Sequence, residues 1–419
     1  MERRLSVKCD AIVIGGGVVG LSAALCLLEA GLKQVLILER QVLASGGTGL
    51  GTGSVHTQRW FATDSDLVLR SKHIISQISE RSGGVFQLFS VGRLTVVGEA
   101  DAQIVVDYGR HLRDCGIEAV ELSPEALLKR YPGMNVSDVG AALFTPEDGV
   151  VYPPAMIWAL AGAIRRAGGN IWEGCGASRI VIENGATRGV QLLNGDVLEC
   201  GRVVVAAGVW SRRVLQSSGL DLALKHSITH NTVVTVGRVD RWSEVPSLLD
   251  GVQGIIAIPR NPGTIMSANT AGEYESPSAT AERVLNATTV ELREASEVFR
   301  QETAVQQREV MMQLRHRYRD YDIRGVVGHW AGLLDGTPDN HPYIGPYPGV
   351  GGLWVGCGLT GYGVQRGPGV GETLAALAMD KEPQVDVSHY GLGRFDAKRD
   401  FRIDLSSDNP FAGFRTTPA

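Results

Sequence analysis

Two apolar runs frame the first forty residues. Ala11-Ile12-Val13-Ile14 and Val35-Leu36-Ile37-Leu38 are short and unbroken, the pattern of strands buried on both faces. Between them, Leu21 to Ala30 is predicted to be helical and stops at Gly31, a residue suited to the position after a helix. The unit predicts strand, helix, strand. Similar signals recur later, where Val203-Val204-Val205 runs into the small-residue turn Ala206-Ala207-Gly208. Gly352 to Gly358 predicts a last buried strand before a helical stretch from Val370 to Met379. Gly92 to Val97 and Val233 to Val236 read as further strands. Ala281 to Arg319 is mainly helical in composition, and its basic stretch Arg315-His316-Arg317-Tyr318-Arg319 is expected to be a solvated helix end.

The turns between these elements carry the chemistry. Gly15-Gly16-Gly17-Val18-Val19-Gly20 leads from the first strand into the helix, and Glu39 ends the second strand about 20 positions on. Glycines there permit a tight turn, close approach of backbone to a pyrophosphate and close packing of helix on strand. The helix N-terminus offers its N–H groups to the phosphate, and the acid can accept bonds from ribose hydroxyls. A dinucleotide is expected; NAD and FAD share this pattern. Ser45 to Gly53 follows the second strand and is too rich in glycine to predict a helix, so a large ring system is expected to lie against it. Gly358 to Gly363 precedes a second helix N-terminus, able to face an anionic flavin ring.

Composition narrows the class. The 419 residues suggest two or three domains, and the 53 glycines are about twice the usual share, clustered in the segments just described and on to Gly371. A net charge of −5 argues against a broad nucleic-acid or anionic-membrane surface. Six scattered cysteines contain no Cys-x-x-Cys pair for zinc or an iron–sulfur cluster, so no metal is expected and a reducing, cytoplasmic compartment is. Ala11 to Leu32 carries one charge, Glu29, but its glycines and the lack of a following small-residue cleavage site argue against a membrane span or signal core.

With these segments in place the chain resembles the D-amino-acid-oxidase superfamily of FAD-dependent oxidoreductases. Asp148-Gly149-Val150-Val151-Tyr152-Pro153-Pro154, Trp330-Ala331-Gly332, Thr337-Pro338-Asp339 and Ile344-Gly345 extend the resemblance, in order, over roughly residues 9 to 380. Within the superfamily, Gly49 to His56 is most similar to β subunits of heteromeric sarcosine oxidase, amino-acid-type proline dehydrogenase and opine oxidase. The resemblance implies an α/β fold in which a Rossmann-like FAD domain (1–80, 146–220 and 326–382) interleaves with a mixed α+β substrate domain (81–145 and 221–325). A tail, 383–419, matches nothing in the superfamily.

It also implies the site. FAD would be held by Gly15, Gly17, Val18, Val19, Gly20, Glu39 and Arg40 at the nucleotide and by Ser45, Gly46, Gly47, Thr48, Gly51 and Thr52 at the ring. Ala207, Gly208, Trp210, Gly332, Gly358, Thr360, Gly361, Tyr362, Gly363 and Val364 complete the set. Positions where relatives tether a flavin fall at Gly332 and Pro153, so the cofactor is expected to be non-covalent. The implied reaction takes a hydride from the C–H beside the nitrogen of a secondary amine, imino acid or amino-acid derivative, giving an imine that hydrolyses. Electrons would leave to oxygen, a quinone or a partner subunit in a hetero-oligomer. The arginine and lysine that grip the substrate carboxylate in sarcosine-type relatives fall at His56 and Gln365, with Arg59 and Arg366 nearby. His56, Tyr362, Gln365 and Arg366 are therefore the candidate catalytic residues. An oxygen-activating lysine falls at Ile265, which implies a dehydrogenase that is slow with oxygen. His329 and His341 are expected to make structural hydrogen bonds, and Asp339 to be a turn acid. Two other readings stay open: oxidation of a sugar or alcohol carbon, and a flavoprotein subunit without catalysis.

Overall fold

The computed structural model describes residues 4–5, 9–58, 64–237, 245–260, 263–269 and 304–399. Five parallel strands form the body of one sheet, in the order Leu353–Cys357, Val203–Val205, Ala11–Ile14, Val35–Leu38 and Asn170–Trp172. Tyr343–Pro346 adds an antiparallel edge beside Leu353–Cys357. The strands are apolar on both faces because both faces are covered. Ala11 and Val13 face a core built with the helices Val18–Glu29, Ser65–Arg81, Pro153–Arg166 and Gly363–Ala378. Ile12 and Ile14 face a second core closed by the antiparallel strands Ala177–Glu183, Ala186–Leu192 and Val197–Glu199.

The helices depart from the expected bounds. The fingerprint helix begins at Val18, and the C-terminal helix begins at Gly363, seven residues before the predicted Val370. Pro368 and four glycines, Gly363, Gly367, Gly369 and Gly371, hide this helical start in the sequence, yet the last three glycines have a packing reason. A Cβ on Gly367 would lie 2.5 Å from Val18 Cγ1, and one on Gly371 would lie 2.6 Å from Val19 O, so these glycines let the two helices touch. Ser71 Oγ bonds Arg366 O and Gly369 N, the backbone groups on either side of Pro368. Gly47–Leu50 forms one helical turn inside the loop where no helix was expected.

The larger sheet has eight strands, in the order Asp322–Gly336, Lys225–Gly237, Thr264–Asn269, Ile255–Pro259, Ser247–Asp250, Arg93–Val97, Ala141–Thr145 and Val120–Leu122. Lys225–Gly237 and Asp322–Gly336 pair along their whole length. Asp322–Gly336 passes without interruption through residue 326, where the sequence suggested a boundary. A helix over 304–317 lies on this sheet, with Val310, Leu314 and Tyr318 in one core with Leu94, Val234 and Ile255. The basic stretch at its end is solvated as expected at Arg315, His316 and Arg319, but not at Arg317 and Tyr318. Arg317 is fully buried, with Nε 2.5 Å from Asp250 Oδ2 and Nη1 2.9 Å from Asp138 Oδ1, and Tyr318 is buried beside it. Burial lowers the Arg317 pKa, but the two carboxylates outweigh it and hold the group charged. The expected helical residues 281–303 lie outside the described ones.

The described part of the tail packs on the core. Tyr390 is buried and donates to Asp64 Oδ1 at 2.9 Å, and Arg394 forms a two-point pair with Asp339 at 2.9 and 3.0 Å. No helix among the described residues is long and apolar enough to cross a membrane.

Candidate functional site

A cavity of about 720 Å³ runs between the two sheets, bounded at one end by Glu39 and Arg40 and at the other by His56, Tyr362 and Gln365. The nucleotide end is made of backbone. Gly17 is the N-cap of the fingerprint helix and has no side chain to cap it with; a Cβ there would meet only Thr48 Oγ1, at 3.2 Å. Any larger side chain at Gly17 would therefore grow into the cavity. Glu39 is held in place, accepting from Gly16 N at 2.9 Å and Gln41 N at 2.8 Å. Arg40 lies over the Trp210 ring, 4.5 Å from its centroid.

Most of the expected cofactor residues line this cavity. Gly20 and Gly358 do not, for reasons of packing. A Cβ on Gly20 would lie 2.0 Å from Gly15 O, so Gly20 sets the contact of helix on strand; Gly358 is pressed against Thr337 and donates its N–H to Asp335 Oδ2 at 2.6 Å.

The loop that would face a ring system is held from the larger sheet. Leu50 O accepts from Trp330 Nε1 at 2.9 Å and from Asn231 Nδ2 at 3.2 Å, two side chains that are register partners on the long strands. Arg260 donates to Val151 O at 2.9 Å and to Thr52 O. Gln58 joins the same loop to the strands beyond: its Nε2 donates to Arg93 O and Thr145 Oγ1, and its Oε1 accepts from Thr95 Oγ1 at 2.5 Å. Asp148 takes three bonds from Thr57 and one from Thr145, and burial nonetheless raises its carboxyl pKa.

Three of the four candidate catalytic residues meet at one end. His56 is buried, and its Nδ1 lies 2.9 Å from Gln58 O. A carbonyl only accepts, so Nδ1 carries a proton and Nε2 is the ring's basic nitrogen. Tyr362 stands edge-on to His56 with ring centres 6.3 Å apart, and Gln365 lies in the first turn of the C-terminal helix. Arg366 does not line the cavity. Its guanidinium turns to the buried Asp64 at 2.7 Å and to Leu359 O, in a network that also holds His341, whose Nδ1 is 2.9 Å from Asp64. Arg59 lies outside the described residues. Ile265 is buried in the core beside Val234 and is not among the residues that line the cavity.

The lining also contains an arginine that no motif marked. Arg93, at the start of its strand, is 2% exposed and borders the same end as His56 and Tyr362. Elsewhere, His329 sits 2.9 Å from Thr232 Oγ1 and 3.2 Å from His230, and Asp339 accepts from His341 N in a turn. Asp64, His341 and His389 gather within 4.8 Å, but the pairing of Asp64 with Arg366 and Tyr390 already uses both of its oxygens.

These residues fit FAD. Two helix N-termini, at Val18 and Gly363, face one cavity whose wall at Gly17 would be filled by any side chain, and Trp210 Nε1 is buried there without a partner among the described residues. Compared with known proteins, residues 10–377 match the family described as "DAO: FAD dependent oxidoreductase". Mitochondrial sarcosine dehydrogenase of Homo sapiens is 27% identical over 406 residues, 94% of this chain and 42% of that protein. Glycine oxidase of Pseudomonas putida is 27% identical over 392 residues, 91% of this chain and 97% of that protein. The chain thus spans less than half of the first relative and nearly all of the second. The solved structure of L-proline dehydrogenase from P. horikoshii superposes with a TM-score of 0.78 at 21% identity, covering 93% of this chain and 98% of that one, and so shares its fold. The family match runs from the first buried strand to the C-terminal helix and takes in every residue of the cavity wall, and the chain belongs to the DAO family of FAD-dependent oxidoreductases.

Proposed function

We propose that this chain oxidises the carbon beside the nitrogen of a secondary amine, imino acid or amino-acid derivative, as a dehydrogenase or oxidase. The observation that carries the reading is one continuous cavity joining the nucleotide cradle to a chamber bounded by His56, Tyr362 and Gln365. FAD bound in the cradle supplies the two-electron acceptor for a hydride from that carbon. The protein's own residues have a smaller task. The only carboxylates of the described lining, Glu39 and Asp335, are both tied to backbone N–H groups, so no acid stands ready as a base. A neutral amine does not need one, since its lone pair already weakens the neighbouring C–H bond. An amine that arrives protonated must lose that proton, and His56, whose Nε2 is its basic nitrogen, would take it. Tyr362 and Gln365 would orient the substrate, while the loop fastened by Trp330, Asn231 and Arg260 keeps water from the reacting carbon.

In this reading the smaller sheet belongs to the FAD unit and the larger to the substrate unit, and electrons leave to oxygen, a quinone or a partner subunit. It places the chain in the cytoplasm, where its six cysteines stay thiols; cell fractionation checks this. The test is anaerobic mixing of the holoprotein with amines, N-methyl and cyclic imino acids, D-amino acids, opines and polyols while the flavin absorbance is followed. Bleaching by a nitrogen-bearing class is expected. Bleaching by polyols alone, or by no donor, would overturn the reading, and the rate of colour return in air separates oxidase from dehydrogenase.

A further inference from the structure

Arg93 is an unusual arginine. A guanidinium stays charged in proteins, and a buried charge without a partner is costly, so buried arginines are normally paired with carboxylates. Arg317 obeys this rule, with Asp250 and Asp138 against it. Arg93 does not. Its only hydrogen bond among the described residues runs from Nη1 to Ser247 Oγ at 2.8 Å, and no carboxylate lies within ion-pair distance. Its Nε is buried with no partner among the described residues. Asp148, the carboxylate whose charge acts on Arg93, is occupied by Thr57, Thr145 and Lys72. Burial lowers the Arg93 pKa to about 10, still a charged group at neutral pH.

Two other residues of the wall are left in a similar state. Gln365 Nε2, a donor, and Asn231 Oδ1, an acceptor, are both buried without partners among the described residues, on residues that are 1% exposed. The orientation of Asn231 is fixed, because its Nδ2 donates to a carbonyl oxygen. The chamber therefore presents a fixed cation bonded only to Ser247, a neutral donor and a neutral acceptor, with Arg93 Nε, Gln365 Nε2 and Asn231 Oδ1 unsatisfied among the described residues. A ligand that satisfies them carries an anionic acceptor group and an N–H.

We propose that Arg93 is the anion-binding group of this chamber and that the substrate is an amino or imino acid whose carboxylate pairs with it. This rests on the amine-oxidation reading and deepens it. The cation that the resemblance sought at His56 or Gln365 is supplied by the first residue of a strand in the larger sheet, reached through the fold and not through any motif.

The test uses the flavin-loaded protein and two probes of the same shape, 2-furoate and its neutral amide, with binding read from the perturbed flavin absorbance. The wild type is expected to favour 2-furoate by at least about tenfold to a hundredfold, the range for a hydrogen bond to a charged group. Arg93→Met should lose that preference, Arg93→Lys should keep part of it, and both should hold full flavin. Arg93→Met should also melt no lower than the wild type, because an unpaired buried charge is replaced by an apolar chain. Equal binding of the two probes by the wild type, binding of neither, or an unchanged preference in Arg93→Met overturns the proposal. So does loss of flavin from Arg93→Met, which would assign the guanidinium to the cofactor. Should Arg93→Met not fold, a wild-type preference retained in full by Arg93→Lys overturns it. An Arg93-dependent preference for 2-furoate with no amine bleaching the flavin keeps the anion site and removes the amine reading. Bleaching by amines that lack a carboxylate, equally fast in Arg93→Met, does the reverse.

Discussion

The two ends of the cavity are built on opposite principles. At the nucleotide end the contacts come from backbone, so what matters is which side chains are missing; at the substrate end they come from side chains carried on strands far apart in the sequence. A missing side chain is a local property and leaves a mark in the sequence. The juxtaposition of Arg93, Asn231 and Gln365 is a property of the register between strands and leaves none.

The sharpest way to separate the two ends begins with two glycines three residues apart. Gly20→Val would drive a Cβ into Gly15 O at 2.0 Å and should abolish the folded state, seen as loss of a cooperative thermal transition. Gly17→Leu has room in the fold but fills the cradle, and should give a folded, colourless protein whose flavin content is at least about tenfold lower, in line with one blocked anion site. A Gly17→Leu protein as yellow as the wild type would remove the pyrophosphate from that turn. Gln58→Ala comes next, since it strands several buried partners at the joint between the ends. It should cost about 2–4 kcal/mol in urea denaturation, and a loss below about 0.5 kcal/mol would show that the joint is slack. His56→Ala should leave flavin content intact and slow reduction by substrate about tenfold to a hundredfold. Unchanged reduction would take His56 out of the chemistry. The smallest effect is on acid stability. Burial and His230 hold His329 down to a pKa of about 4, whereas the unfolded chain takes up that proton near pH 6.5. Stability is therefore full above about pH 6.5 and falls toward pH 4, and His329→Asn should flatten that decline; equal slopes would mean the group titrates normally.

The same contrast explains what could be read beforehand. Ala11–Ile14, Val35–Leu38 and Leu353–Cys357 were visible as buried strands because parallel strands covered on both faces are apolar throughout. The start of the C-terminal helix was hidden, since Gly367, Pro368 and Gly371 count against a helix locally while serving its contact with the fingerprint helix. Arg317 resembled its exposed neighbours because charge in a basic run says nothing of the acids waiting on another strand. The resemblance points to His56 and Tyr362, which line the cavity, and to Arg366, which does not, because adjacency along a helix does not decide which way a side chain turns: Gln365 lines the cavity and Arg366 pairs with Asp64.

The distribution of the cavity wall along the chain also bears on how the protein is made. One wall, from Ile14 to His56, is synthesised first, whereas the opposite wall, Gly332 to Gln365, follows some 300 residues later. At about 5–20 residues per second the ribosome needs on the order of tens of seconds to cover that distance. During this interval the glycine cradle exists with nothing facing it, and the parallel sheet lacks the strand Leu353–Cys357 that completes it beside Val203–Val205. Cofactor capture is therefore an event of late synthesis. Nascent chains halted before residue 330 should carry no flavin.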